Sequence, residues 1–211
     1  MDASGNVYTT QPFENEVEEI QAVNGVIPPS PSITSLGSGF NLPVGVVVDA
    51  AGDVYVADTG NGSVKEILAV NGAIPASPTI NIIGSGFTSP TGLALDGYGN
   101  LFVSDFGANM LKEISAVNGS IPASPVIQTL ATDLNTPFAV AVDGNVNAYV
   151  ADMANNRILK VDVADPPSLA FANTPYGTTS LDSPQTITVE NIGNAAATFP
   201  IPCLLYTSRC V

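Results

Sequence analysis

The chain has 211 residues, 45% of them hydrophobic and 11% charged, with 19 Gly and 17 Pro, a composition that fits a turn-rich β protein better than a helical or disordered one. Five basic residues against 19 acidic ones give a formal net charge of −14, a field that repels phosphate backbones and anionic lipid and so argues against a nucleic-acid partner. No apolar run is long enough to cross a bilayer, which argues against membrane insertion, and MDASGNVYTT at the start lacks the basic and apolar parts of a secretory signal.

Self-similarity decides the fold class. DASGNVYTT from Asp2, DAAGDVYVADTGNGSVKEI from Asp49, DGYGNLFVSDFGANMLKEI from Asp96 and DGNVNAYVADMANNRILKV from Asp143 begin 47 residues apart without a gap. The second half of the unit repeats too: QAVNGVIPPSPSI from Gln21, LAVNGAIPASPTI from Leu68 and SAVNGSIPASPVI from Ser115. Within the unit, short apolar or alternating runs separated by turn residues predict strands. For the third unit these are Gly92 to Leu95, a turn at 96–100, Leu101 to Ser104, a turn at 105–109, Met110 to Ile114 and, after a Pro-containing connection, Val126 to Leu130. Four short antiparallel strands per unit make a propeller blade.

Pro43-Val-Gly45, Val47-Val-Asp49, Gly52-Asp-Val-Tyr-Val-Ala-Asp58, Thr59-Gly-Asn61 and Val64-Lys-Glu-Ile67 together resemble the NHL repeat. The resemblance covers roughly residues 2 to 162 and implies an all-β fold, a partial propeller of about 3.5 blades out of about six. The propeller is placed at 1–164. From Asp165 to Pro202 the pattern changes to one similar to the opening strands of bacterial Ig-like modules of the abnormal-spindle and Hydin type. Both ends are expected to be cut: Asp2 aligns with a turn inside a blade, and the last unit stops after its third strand. Residues 203–211, CLLYTSRCV, can be encoded by a transposase mosaic-end adapter joined to its reverse complement, so they are read as adapter-derived. Both cysteines fall there, and no disulfide or redox compartment is inferred from them.

Chemistry-bearing residues are sparse. There is no histidine, so the chain offers no imidazole base, no Ser-His or Cys-His pair and no nitrogen ligand for zinc; no catalytic or metal site is assigned. The repeated polar residues Asp58, Asn61, Asp105, Asn109, Asp152 and Asn155 are the candidate ligand-binding positions, placed by blade topology along one rim. They fit a polar ligand or, as the one cofactor considered, Ca²⁺ through oxygen donors. The competing reading makes each Asp a partner of its own turn backbone. Asp49, Asp96 and Asp143 begin hairpin turns at the opposite rim and read as turn chemistry. Tyr8, Tyr55, Phe102 and Tyr149 share one register and read as packing between blades.

The resemblance to bacterial multi-module proteins implies an exported or cell-surface chain. On that basis the expected function is a non-catalytic binding or scaffold module that recognises a protein, glycan or small ligand on its rim. The alternatives are a metal-dependent lactonase-like or lyase-like propeller enzyme, with its site in blades outside this sequence, and a structural spacer. An open arc leaves two blade faces of several hundred Å² uncovered, roughly 10 kcal/mol of burial each, so self-association is expected.

Overall fold

The computed structural model describes residues 1–163; the Ig-like and adapter assignments at 165–211 lie outside the described residues. Fourteen strands in this part form four antiparallel sheets. Sheet one contains β1 (Val7–Gln11), β2 (Glu16–Ile20) and β3 (Ile33–Ser35). Sheet two contains β4 (Pro43–Val48), β5 (Val54–Asp58), β6 (Ser63–Ile67) and β7 (Ile80–Ser85). Sheet three contains β8 (Pro90–Leu95), β9 (Leu101–Asp105), β10 (Met110–Ile114) and β11 (Ile127–Ala131). Sheet four contains β12 (Pro137–Val142), β13 (Asn147–Asp152) and β14 (Arg157–Asp162). In every sheet neighbours in sequence are neighbours in space, so the architecture is an arc of up-and-down blades, with strands within a residue or two of those expected.

The core lies between the sheets, in three seams. Tyr55, Ala57, Val64 and Ile83 of the second sheet meet Leu93, Leu101, Val103 and Ile114 of the third. Val17 and Leu36 meet Val54, Val56 and Ile67 in the seam before it, and Phe102, Leu111 and Leu130 meet Ala148, Val150 and Leu159 in the seam after it. Cross-strand partners such as Tyr55 and Glu66, or Val56 and Lys65, alternate between the two faces of one sheet, so each blade has a leading face and a receiving face. The Pro-x-Gly start of the innermost strand brings adjacent blades close. A Cβ on Gly92 would lie 2.6 Å from the Phe138 carbonyl oxygen of the next inner strand. The fourth blade has Ala139 at that register, and it is exposed.

The first hairpin of every blade is built the same way. Asp2, Asp49, Asp96 and Asp143 each accept hydrogen bonds at Oδ1 from the backbone N–H groups two and four residues on, at 2.8–2.9 Å. Tyr8, Tyr55 and Tyr149 donate their hydroxyls to Asp2, Asp49 and Asp143, so this register carries a polar bond as well as packing. Asn6, Asn100 and Asn147 add a side-chain amide bond to the same carboxylate. For Asp143 these donors, the Asn147 side chain foremost, hold the carboxyl down at about 2. The second blade departs from the pattern, with Asp53 in place of Asn. Burial raises the Asp53 carboxyl above its ordinary value of 3.8, and the nearby Asp49 charge adds to this against the Ala69 N–H bond.

A raised carboxyl in the folded state means that ionising Asp53 opposes folding, so stability is lost as pH rises through its folded pKa. Asp53→Asn should remove that loss and restore the amide bond to Asp49, worth about 1 kcal/mol, or roughly 2–4 °C in Tm at pH 7. Thermal melts from pH 3 to pH 8 should show the charge-derived part of the gain absent below 3.8 and complete above the folded pKa.

Candidate functional site

Two rims close the ends of the blades. The first carries the expected ligand positions, and there the structure departs from the expectation of a solvent-facing row of carboxylates. Asp58, Asp105 and Asp152 are each 0% exposed. Each sits at the end of the second strand of its blade and pairs with a cation seven or five residues on. Lys65 Nζ lies 2.6 Å from Asp58, Lys112 Nζ 2.8 Å from Asp105, and Arg157 Nε 2.7 Å from Asp152. The other carboxylate oxygen accepts backbone N–H groups of the link entering the blade: Asn41 for Asp58, Thr88 and Ser89 for Asp105, and Asn135 for Asp152.

The lysines complete a latch. Lys65 donates to the Gly39 carbonyl at 2.6 Å and lies 5.1 Å from the Phe40 ring centre, and Lys112 lies 4.8 Å from Phe87. In the fourth blade Arg157 takes the same role and reaches the Asp133 carbonyl at 2.9 Å. Burial pushes the Asp152 carboxyl up, but the bonds from Asn155, the Asn135 N–H and Arg157 together outweigh it and hold it below the ordinary range. The first blade has no such ion pair; Gln11 donates to Glu18 at 3.1 Å instead.

Asn61 and Asn155 are exposed and donate their amides to Asp58 and Asp152 at 2.7 and 2.8 Å. Asn109 is not their equivalent. It stands one residue later, at the register of Gly62 and Asn156, takes positive φ of 58°, and accepts the Thr136 N–H of the next link at 2.8 Å. The residue aligned with Asn61 is Ala108, an offset that the constant 47-residue spacing makes countable. Among the described residues, no three His, Cys, Asp or Glu side chains gather into a cluster that could hold a metal ion.

The second rim holds features that strand patterning alone does not reveal. Asn24-Gly25, Asn71-Gly72 and Asn118-Gly119 all have positive φ at both positions, and Val70 and Ala73 exchange backbone bonds at 2.8 and 3.3 Å across one of them. Each is a two-residue hairpin tip, the structure Asn-Gly specifies most strongly, which leaves Val23, Val70 and Val117 exposed. The dipeptide itself was the available signal. Between the second and third blades lies a hollow of about 400 Å³, lined by Asp49, Ala51, Asp96, Tyr98, Gly119 and Ser120 among others. Tyr98 is 72% exposed and stands where the other blades have Ser4, Ala51 and Asn145, so it breaks the repeat at a surface position.

The fold and its latched blades define an NHL-like β-propeller arc. The NHL repeat model matches residues 40–67, which run from Phe40 of the latch through the third strand of the second blade. A streptogramin B lyase structure is similar over 76% of this chain and 49% of its own, with 13% identity and a TM-score of 0.57. A virginiamycin B lyase from Staphylococcus aureus is similar over 76% of this chain and 53% of its own, with 12% identity and a TM-score of 0.54. A structure titled a putative gluconolactonase covers 77% of this chain and 61% of its own, with 16% identity and a TM-score of 0.53. The chain therefore spans about half of the lyase structures, and at these identities the likeness concerns the fold alone. No curated protein matches the chain.

The latch generates a stability prediction. Asp105→Asn leaves Lys112 with 13% of its side chain exposed and no counterion, which should cost about 3 kcal/mol, or roughly 10 °C in Tm. A thermal melt at pH 7 checks this; a loss under 1 kcal/mol would show that the pair is a surface ornament.

Proposed function

We propose that this protein is a non-catalytic binding module whose ligand sits on the hairpin rim, in the hollow between the second and third blades. One observation carries the reading: Tyr98 is a large, exposed aromatic at a position the other blades give to small or polar residues. A residue that only packs is repeated where its neighbours are repeated, whereas one that contacts a ligand has no reason to be. The surrounding groups select the chemistry. Asp49 and Asp96 line the hollow with acceptors, and Gly119 and Ser120 add polar backbone, so a neutral, hydroxyl-rich ligand of the glycan class fits better than an anion. The net charge of −14 disfavours anions at longer range.

The wider setting follows from the repeat and the Ig-like pattern beyond it: an exported or cell-surface chain in which the propeller presents this rim. The lyase and gluconolactonase neighbours supply an enzymatic second reading through their shared fold. Chemistry of that kind requires groups converging on the propeller axis, and the 211 residues contribute no imidazole to it. The carboxylates at the latch rim are engaged by internal donors, which is why the binding face is assigned to the other rim.

Titration of the isotopically labelled protein with a panel of neutral oligosaccharides tests this. Amide shifts should concentrate at Tyr98, Gly99, Gly119 and Ser120, and Tyr98→Ala should weaken the response at least tenfold, about 1.4 kcal/mol, without lowering Tm. Shifts centred elsewhere, or untouched by Tyr98→Ala, would overturn the assignment.

A further inference from the structure

The arc has two open faces, and they are complementary to each other. At the register of Ile158 on β14, the preceding blades place Val17, Val64 and Leu111, each 0% exposed beneath the next blade; Ile158 is 67% exposed. Tyr149 on β13 is 36% exposed, where Tyr55 and Phe102 are 2% and 0%. Phe138 joins them as a third exposed apolar group of the fourth blade. This is a leading face with nothing on it among the described residues.

At the other end, β1 and β2 present a receiving face. Val7 and Ile20 are cross-strand partners at the register where Leu101 and Ile114 are fully buried against the second blade, yet both are partly exposed, and Ile33 beside them is 55% exposed. Every interior seam joins a face of the first kind to one of the second.

Charge strengthens the match. On leading faces the third strand carries Glu19, Glu66 and Glu113, each 6% exposed, but the fourth blade has an exposed Lys160 at that position. On receiving faces the neighbouring register carries Lys65 and Lys112, but the first blade has Glu18, with Glu16 two residues before it on the same face. Both end faces thus reverse the interior pattern together, and Lys160 of one face stands within one residue step of the height of Glu18 on the other.

We propose that the β13–β14 face of one chain docks on the β1–β2 face of a second copy, forming a seam of the same construction as the three within the chain. Ile158 and Tyr149 are its apolar centre, and Lys160 with Glu16 and Glu18 fixes its polarity. The contact is heterologous, head to tail, so copies either close a ring or add in a line. Continuity with three existing seams argues for this occupant, and the paired charge reversal argues that the two open faces recognise one another.

Sedimentation velocity of the full chain over a concentration series tests it. The wild type should self-associate, and Ile158→Asp should move the association midpoint at least tenfold higher with its circular dichroism melt unchanged. Lys160→Glu alone and Glu18→Lys alone should each weaken association, while an equimolar mixture of the two variants should restore it, because each seam in the mixture again pairs opposite charges. A wild type that stays monomeric throughout, or association indifferent to Ile158→Asp and to the charge swap, would overturn the proposal.

Discussion

Burial between successive sheets is the constraint on which the molecule depends. No blade has a core of its own: the apolar side chains of the second blade are split between Val54, Val56 and Ile67 toward the first blade and Tyr55, Ala57 and Val64 toward the third. A single four-stranded sheet is marginal in water, and stability comes from covering both faces. The rest of the unit serves that packing. The Asp-led hairpin fixes the strand register, glycines such as Gly92 let inner strands approach, and the Asp-Lys latch ties the incoming link to the blade it enters. Because the latch joins residues distant in sequence, Asn41 to Asp58 and Thr88 to Asp105, it couples each link to the strands that follow.

The fold was legible in the sequence because period and alternation report directly on burial. The strand from Met110 to Ile114 was read to the residue, and the others shifted only at their ends. The candidate rim was less legible. Asp58, Asp105 and Asp152 read as surface carboxylates because turn position suggests exposure, yet the cation that neutralises each lies on the adjacent strand, brought into line only by the pairing register. Lys65 and Lys112 recur at the same spacing from their aspartates, and that recurrence was the usable sign of a structural ion pair. Phe40 and Phe87 were likewise read as packing, and they also carry the lysine on their faces. Tyr98 was passed over because attention to what repeats hides what does not.

In a repeat protein, departures from the consensus separate function from architecture. Most departures here have a structural explanation. Val146 takes positive φ of 61° at the register where Gly5, Gly52 and Gly99 occur. In those three blades an Asn-Gly tip lies close against the glycine, with the Gly119 carbonyl oxygen 2.8 Å from a Cβ built on Gly99. Ala139 replaces the close-approach glycine on an inner strand that has no further described strand against it. Tyr98, Lys160 and Glu18 have no such explanation within their own blades, and each sits on a surface where something else can meet it. The binding hollow and the two end faces lie on different parts of the arc, so ligand recognition and self-association rest on separate residues.

Hydrogen exchange at dilutions where the chain is monomeric tests the seam account most directly. Amides of β5 and β9, with both faces of their sheets covered, should exchange slowest, and those of β2 and β14 several orders of magnitude faster, although all four are inner members of their own sheets. Graded protection of this kind means that stability resides between blades. Equal protection of β14 and β9 would mean that each sheet is stable by itself, and the account would fail.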